Sequence, residues 1–122
     1  MNNQPTIHVL LIEDNPTDVL LLRTALNEVV NTHFALTHVE RLGHGLDLLA
    51  TETFDVVLLD LGLPDSFGIE TFSRLHQQFP RLPVLVFTGL DDEATGLQAM
   101  QSGAQDYLIQ NQLNAPVLSR TI

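Results

Sequence analysis

The chain has 122 residues, the length of one domain, and at 44% hydrophobic it can bury a core without disulfide staples. Fifteen acids against five bases leave a formal charge of −10, a surface that repels phosphate backbones and anionic lipid. Neither nucleic acid nor membrane is therefore expected as a partner of this domain. The absence of cysteine excludes thiol catalysis, thiolate metal sites and disulfides. Aliphatic runs such as Val19 to Leu22 and Val56 to Leu59 are too short to span a bilayer. Met1-Asn2-Asn3-Gln4-Pro5 lacks the basic and apolar regions of a signal peptide, so a cytoplasmic location is expected. Every base is an arginine, at 23, 41, 74, 81 and 120, and lysine is missing altogether.

Taken in chain order, Ile7 to Ile12 (IHVLLI) reads as a buried strand. Glu13-Asp14-Asn15-Pro16 stops it, and Pro16 suits the first turn of a helix. From Asp18 to Val30, Val19, Leu22, Leu26, Val29 and Val30 recur at helical spacing opposite Arg23, Asn27 and Glu28. Phe34 to Val39 reads as a second strand, and Leu42, Leu46, Leu48 and Leu49 mark a short helix. Asp55 to Asp60 (DVVLLD) is the most apolar strand and is expected at the sheet centre. Ile69, Phe72, Leu75 and Phe79 predict a third helix over Gly68 to Phe79, ended by Pro80. Pro83 to Phe87 gives a fourth strand, Asp91 to Ser102 a weak fourth helix stopped by Gly103, and Asp106 to Ile109 a fifth strand. Asn114-Ala115-Pro116 opens a last helix that reaches Ile122 without a C-terminal cap, from which an extension of the natural chain is expected.

Five strands alternating with five helices predict an α/β domain over residues 1–122, a doubly wound parallel sheet with helices on both faces. In such sheets ligands bind at the C-terminal ends of the strands. Those ends carry Glu13-Asp14, Asp60, Thr88-Gly89 and Gln110. Three converging carboxylates repel one another unless a cation sits among them, and an oxygen-rich cluster suits Mg²⁺ or Mn²⁺. Such a metal could also neutralise a phosphoryl group transferred to a carboxylate. Asp14 or Asp60 taken alone reads as a helix cap; the combination points to a metal–acid site.

The stretches Leu11-Ile12-Glu13-Asp14-Asn15, Asp55 to Asp65 (DVVLLDLGLPD) with Gly68, Val86-Phe87-Thr88-Gly89, and Gly103 to Leu108 (GAQDYL) make the chain recognisable. Over essentially its whole length it resembles the receiver domain of two-component response regulators (CheY-like). The resemblance implies a flavodoxin-like (βα)5 sheet of order 2-1-3-4-5, the order that CheY itself exemplifies. It implies that Asp60 accepts a phosphoryl group from a histidine kinase or phosphotransfer protein, and that the domain is a regulated target more than an enzyme. Asp14 would bind Mg²⁺, Glu13 would hold its water, and the carbonyl of Gly62 would complete the protein ligands. Thr88 would bind a phosphoryl oxygen and move toward it, Tyr107 would turn inward in response, and Gly89 would leave the approach open. Leu63-Pro64 and Gly68 would shape the loop after Asp60.

The sequence departs from the family where a lysine is expected three residues after the switch aromatic. Gln110 stands there, followed by Asn111. Two unit charges about 4 Å apart interact by roughly 4 kcal/mol at an effective dielectric of 20, and glutamine forgoes that. Two readings follow: a phosphorylatable receiver with altered switching, or a pseudo-receiver that binds proteins without phosphate. The resemblance also implies that the side chains two positions past Asp60 and Thr88 influence attack by water; here they are Gly62 and Leu90, neither able to orient it, so slow self-dephosphorylation is expected.

Other constellations carry less. Gly43-His44-Gly45 is the start of a helix and not a dinucleotide loop, since position 48 is leucine. The chain lacks the Asp-x-Asp run of aspartate phosphatases and the Ser/Thr/Gly-rich loop of flavodoxins after the first strand. His8, His33, His38, His44 and His76 share no ligand spacing and are expected to be solvated or on strand faces. Phe34, Phe54, Phe72, Phe79 and Phe87 are expected in the core. Asp91, Asp92 and Glu93 suit the N-terminus of the fourth helix. Ala94, Leu97 and Met100 form a thin apolar stripe there, and Gly96 weakens the helix by about 1 kcal/mol. With the fifth strand and last helix, this corresponds to the face through which receivers dimerise or dock.

Overall fold

The computed structural model describes residues 6–30, 32–88 and 93–109. The expected last helix, Gly89, Leu90, Asp91, Asp92 and Gln110 lie outside the described residues, and of Thr88 only the backbone is described.

Five parallel strands form the main sheet: β1 (Thr6–Ile12), β2 (His33–Val39), β3 (Val56–Asp60), β6 (Val84–Thr88) and β7 (Asp106–Ile109). Their order is β2-β1-β3-β6-β7. Counted among themselves the strands run 2-1-3-4-5, as the resemblance implied. A two-stranded antiparallel hairpin, β4 (Gly62–Leu63) with β5 (Ser66–Phe67), interrupts the βα cycle directly after β3. Sequence periodicity gave no sign of it. Four helices are described: α1 (Pro16–Asn27), α2 (Leu42–Thr51), α3 (Ile69–Gln78) and α4 (Glu93–Gln101). Among the described residues no helix is long and apolar enough to cross a membrane.

The two-residue alternation of the strands divides the core into two layers. Leu10 and Ile12 of β1, Val57 and Leu59 of β3, and Val84 and Val86 of β6 face α2, α3 and α4 through Leu42, Leu49, Phe72, Leu75 and Ala99. Val9, Leu11, Val56, Leu58, Leu85 and Phe87 face the other way, where Val19, Leu22, Ala25 and Leu26 of α1 cover them. Both faces of β3 are thus buried along its whole length, which is why DVVLLD lacks polar alternation. Each large side chain buried this way contributes on the order of 1.5–3 kcal/mol.

α2 can approach β1 closely because residue 45 has no side chain: a Cβ on Gly45 would stand 2.5 Å from Cδ1 of Ile12. Gly68, the residue before α3, adopts φ +76°, a left-handed conformation that closes the hairpin back on Leu61. One boundary differs clearly from expectation. α1 stops at Asn27 and Val30 is 77% exposed; the β-branched pair Val29-Val30 disfavours a further helical turn. On α4 the buried residues are Gly96 and Ala99, while Leu97 and Met100 face solvent. Small residues let the helix lie close to the sheet, so the hydrophobic stripe marks its outer side.

Candidate functional site

β1 and β3 pair side by side at the centre of the sheet, so their C-terminal ends deliver Glu13, Asp14 and Asp60 to one spot. One carboxylate oxygen from each of the three lies within 4.8 Å of the others. Glu13 is 1% and Asp60 7% exposed, whereas Asp14 faces solvent.

Glu13 is held at its backbone and at its side chain. Its N–H donates to the carbonyl of Val39 at 3.0 Å. Its carbonyl oxygen lies 2.6 Å from Nε2 of His38, which must carry the proton for that bond to form. The N–H of Asn15 donates to Oε1 at 3.1 Å, while Oε2 is buried without a hydrogen-bond partner among the described residues. Asn15 then starts α1, its side chain accepting from the N–H groups of Thr17 and Asp18, with Pro16 in the first turn. Asp60 is oriented by the N–H of Gly62, which donates to Oδ1 at 3.0 Å.

Burial and mutual repulsion set the electrostatics. Desolvation, reinforced by the charge of Asp60, pushes Glu13 up to about 8. Desolvation and Asp14 push Asp60 up to about 6, against the Gly62 N–H, which favours its charged form. Burial and Asp14 also raise Asp18 in the first turn of α1. This much uncompensated negative charge around a buried, unpartnered oxygen fits a hard divalent cation. Glu13, Asp14 and Asp60 supply the oxygen donors that Mg²⁺ or Mn²⁺ prefers.

The other sequence-derived residues lie on the neighbouring strands. Thr88 ends β6, next to β3, and Tyr107 sits on the edge strand β7, paired with Val86. The Tyr107 hydroxyl donates to Oε1 of Glu93 at 3.0 Å, tying it to the first turn of α4. That contact raises the phenol above its usual value. Gly62 stands beside Asp60 as expected, though the contact seen is through its N–H.

Two residues escaped sequence reasoning. His38, expected to be solvated or on a strand face, contacts the Glu13 backbone from β2. Asp65 accepts the N–H groups of Leu42 and Gly43 at 2.9 Å each, capping α2 from the hairpin. A partial signal was present for the second: Arg41 occupies the cap position of α2 and makes no side-chain cap bond, so an acceptor had to come from elsewhere. His76 also departs from expectation, since its ring stacks on Phe72 and its Nδ1 is buried without a partner among the described residues.

A flavodoxin-like sheet with an acidic triad at its switch point defines the class of a phosphoacceptor signalling module. The family model of the response regulator receiver domain matches residues 9–118, and the chain belongs to that family. It is similar to the KDP operon transcriptional regulatory protein KdpE of Escherichia coli, at 39% identity over 101 residues, covering 83% of this chain and 43% of that protein. It is also similar to the response regulator protein PilR of Pseudomonas aeruginosa, at 32% over 100 residues, covering 81% of this chain and 22% of that protein. The chain thus spans less than half the length of these curated relatives. Among solved structures, the receiver domain of the Francisella response regulator 1452 shares the fold with a TM-score of 0.79 at 23% identity, covering 94% and 93% of the two chains. The phosphorylated cyanobacterial phytochrome response regulator RcpA does so with a TM-score of 0.76 at 21% identity, covering 95% and 89%. Response regulators act in two-component signalling with histidine kinases and phosphotransfer partners, and their receivers bind Mg²⁺ in an acidic pocket.

Proposed function

We propose that this domain accepts a phosphoryl group on Asp60 from a phosphohistidine of a histidine kinase or phosphotransfer protein. The observation that carries the reading is the buried Asp60 carboxylate at the end of the central strand, within 4.8 Å of the Glu13 and Asp14 carboxylates. In the transfer, a carboxylate oxygen of Asp60 forms the new O–P bond as the P–N bond of the donor breaks. The electron pair returns to the imidazole nitrogen, which takes up a proton. The Gly62 N–H holds Oδ1 and so fixes the direction of the carboxylate plane. Glu13, Asp14, Asp60 and the Gly62 carbonyl would hold Mg²⁺. That ion supplies charge neutralisation for the phosphoryl group.

Thr88 and Tyr107 would read out the phosphorylated state. Gln110 in place of the family lysine weakens that coupling, and Gly62 and Leu90 make the aspartyl phosphate slow to hydrolyse. The domain acts in the cytoplasm as a regulated target that assists its own phosphorylation. Leu97 and Met100, exposed on α4 beside β7, support a homodimer or partner surface on that side.

The test is intact mass after incubation with Mg²⁺ and a small phosphodonor. A single phosphoryl adduct is expected, absent from Asp60→Asn and from samples with chelator. A folded protein that takes up no phosphoryl group would instead support the pseudo-receiver reading, in which the fold serves as a phosphate-independent protein-binding module.

A further inference from the structure

The acidic site is built from two jaws that covalent connectivity leaves far apart: Glu13-Asp14 after β1, and Asp60 with the hairpin after β3. A short corner of chain, from His38 at the end of β2 to Gly43 in the first turn of α2, touches both. On one side Val39 accepts the Glu13 N–H and His38 meets the Glu13 carbonyl. On the other side Leu42 and Gly43 donate to Asp65, which lies between β4 and β5, five residues past Asp60. Both carboxylate oxygens of Asp65 are used, at 2.9 Å each, and they replace the side-chain cap that Arg41 does not provide. Although partial desolvation opposes it, these two N–H groups hold Asp65 below the usual carboxylate value. The positive end of the α2 dipole favours the same anion.

We propose that Asp65 is a positioning residue of the metal–phosphoryl site. By capping α2 from the hairpin it ties the Asp60–Gly62 loop to the corner that anchors Glu13, and so fixes the spacing of the two jaws. The inference rests on the metal-binding reading given above. Asp65 is not one of the clustered acids, and its hydrogen bonds run to Leu42 and Gly43. Its effect passes through backbone, which distinguishes it from a ligand. Because the bonds run to two successive N–H groups, a residue with one acceptor oxygen should do part of the work. Alanine should do none.

Mn²⁺ binding to the purified full chain, read from the electron paramagnetic resonance signal of the free ion, tests this without recourse to phosphorylation. The wild type should bind one ion, and Asp60→Asn should lose it. Asp65→Ala should weaken binding about tenfold, the scale seen when groups that orient ligands are removed. Asp65→Asn should recover much of that loss. Ala50→Gly, on the exposed side of α2, destabilises the same helix without touching the hairpin and should bind like the wild type. Unchanged affinity in Asp65→Ala would overturn the proposal, as would an equal loss in Ala50→Gly, which would make helix stability the cause. A wild type that binds no Mn²⁺, or an Asp60→Asn variant that binds it as well, would instead remove the metal reading on which the inference stands.

Discussion

The two ends of the same sheet edge are built in opposite ways. The acid end sits on β1 and β3, central strands with both faces buried, and its groups are fixed by main-chain bonds from Val39, Asn15 and Gly62. The responding end sits on β6 and the edge strand β7, where Tyr107 is only half-buried and meets Glu93 across one hydrogen bond. The helix over that end, α4, buries little more than Gly96 and Ala99. The carboxylates whose spacing the proposed chemistry depends on occupy the tightly packed region, and the tyrosine proposed to turn occupies the loosely packed one.

The contrast predicts its largest effect at the stiff end. With Glu13 at about 8 and Asp60 at about 6, the metal-free pocket retains protons that a divalent ion must displace. Mg²⁺ affinity should therefore rise by up to about tenfold per pH unit for each proton released, and level off above the higher value. Calorimetry in buffers of different ionisation enthalpy measures that release. A flat affinity across the interval would mean that the acids are already ionised, and that their burial creates no strain.

The same strain should be visible in folding. Both acids have folded-state values above their unfolded ones, so the native state binds more protons and loses stability as pH rises, from 3.8 toward about 6 for Asp60 and from 4.5 toward about 8 for Glu13. Without divalent ions at pH 8, Asp60→Asn should stabilise the protein by on the order of 2 kcal/mol in urea unfolding. Saturating Mg²⁺ should shrink or reverse that gain, because it binds only the native wild type. A destabilised Asp60→Asn under metal-free conditions would contradict the account. Smaller again is the local anchor: Asn15→Ala removes the α1 cap and should cost about 1 kcal/mol. Its urea midpoint should fall without a change in slope.

How much of this was legible in the sequence follows the same division. The strands announce themselves by apolar runs, and reading only their C-terminal ends assembles Glu13, Asp14 and Asp60 in one place. The hairpin at Gly62–Leu63 and Ser66–Phe67 was not legible, since two-residue strands carry no period. The contacts of Asp65 with Leu42 and of His38 with Glu13 span 23 and 25 residues, and no local pattern encodes them. On α4 the pattern was present but pointed outward. Leu97 and Met100, the stripe associated in the sequence with a docking face, stay exposed, and the helix packs on the sheet through Gly96 and Ala99, which no hydrophobic period marks.

The smallest expected effect lies at the loose end, and one spectroscopic accident makes it measurable. The chain contains one tyrosine and no tryptophan, so its absorbance at wavelengths beyond the phenylalanine bands, and its tyrosine fluorescence, report Tyr107 alone. Glu93 raises the phenol above its ordinary value, first by accepting its proton in a hydrogen bond and also by repelling the phenolate. Glu93→Gln removes the charge while keeping an acceptor oxygen. The absorbance titration of Tyr107 should then move down toward the ordinary phenol value, and its fluorescence should rise as quenching by the carboxylate is lost. Fold stability should hardly change, because Glu93 is exposed and Tyr107 is only half-buried. If Tyr107 turns on phosphorylation, the weaker, uncharged acceptor of Glu93→Gln should also let its fluorescence respond at a lower level of phosphodonor. A titration that does not move would mean that the hydroxyl is free in solution, and that nothing at this end holds the aromatic ring outward.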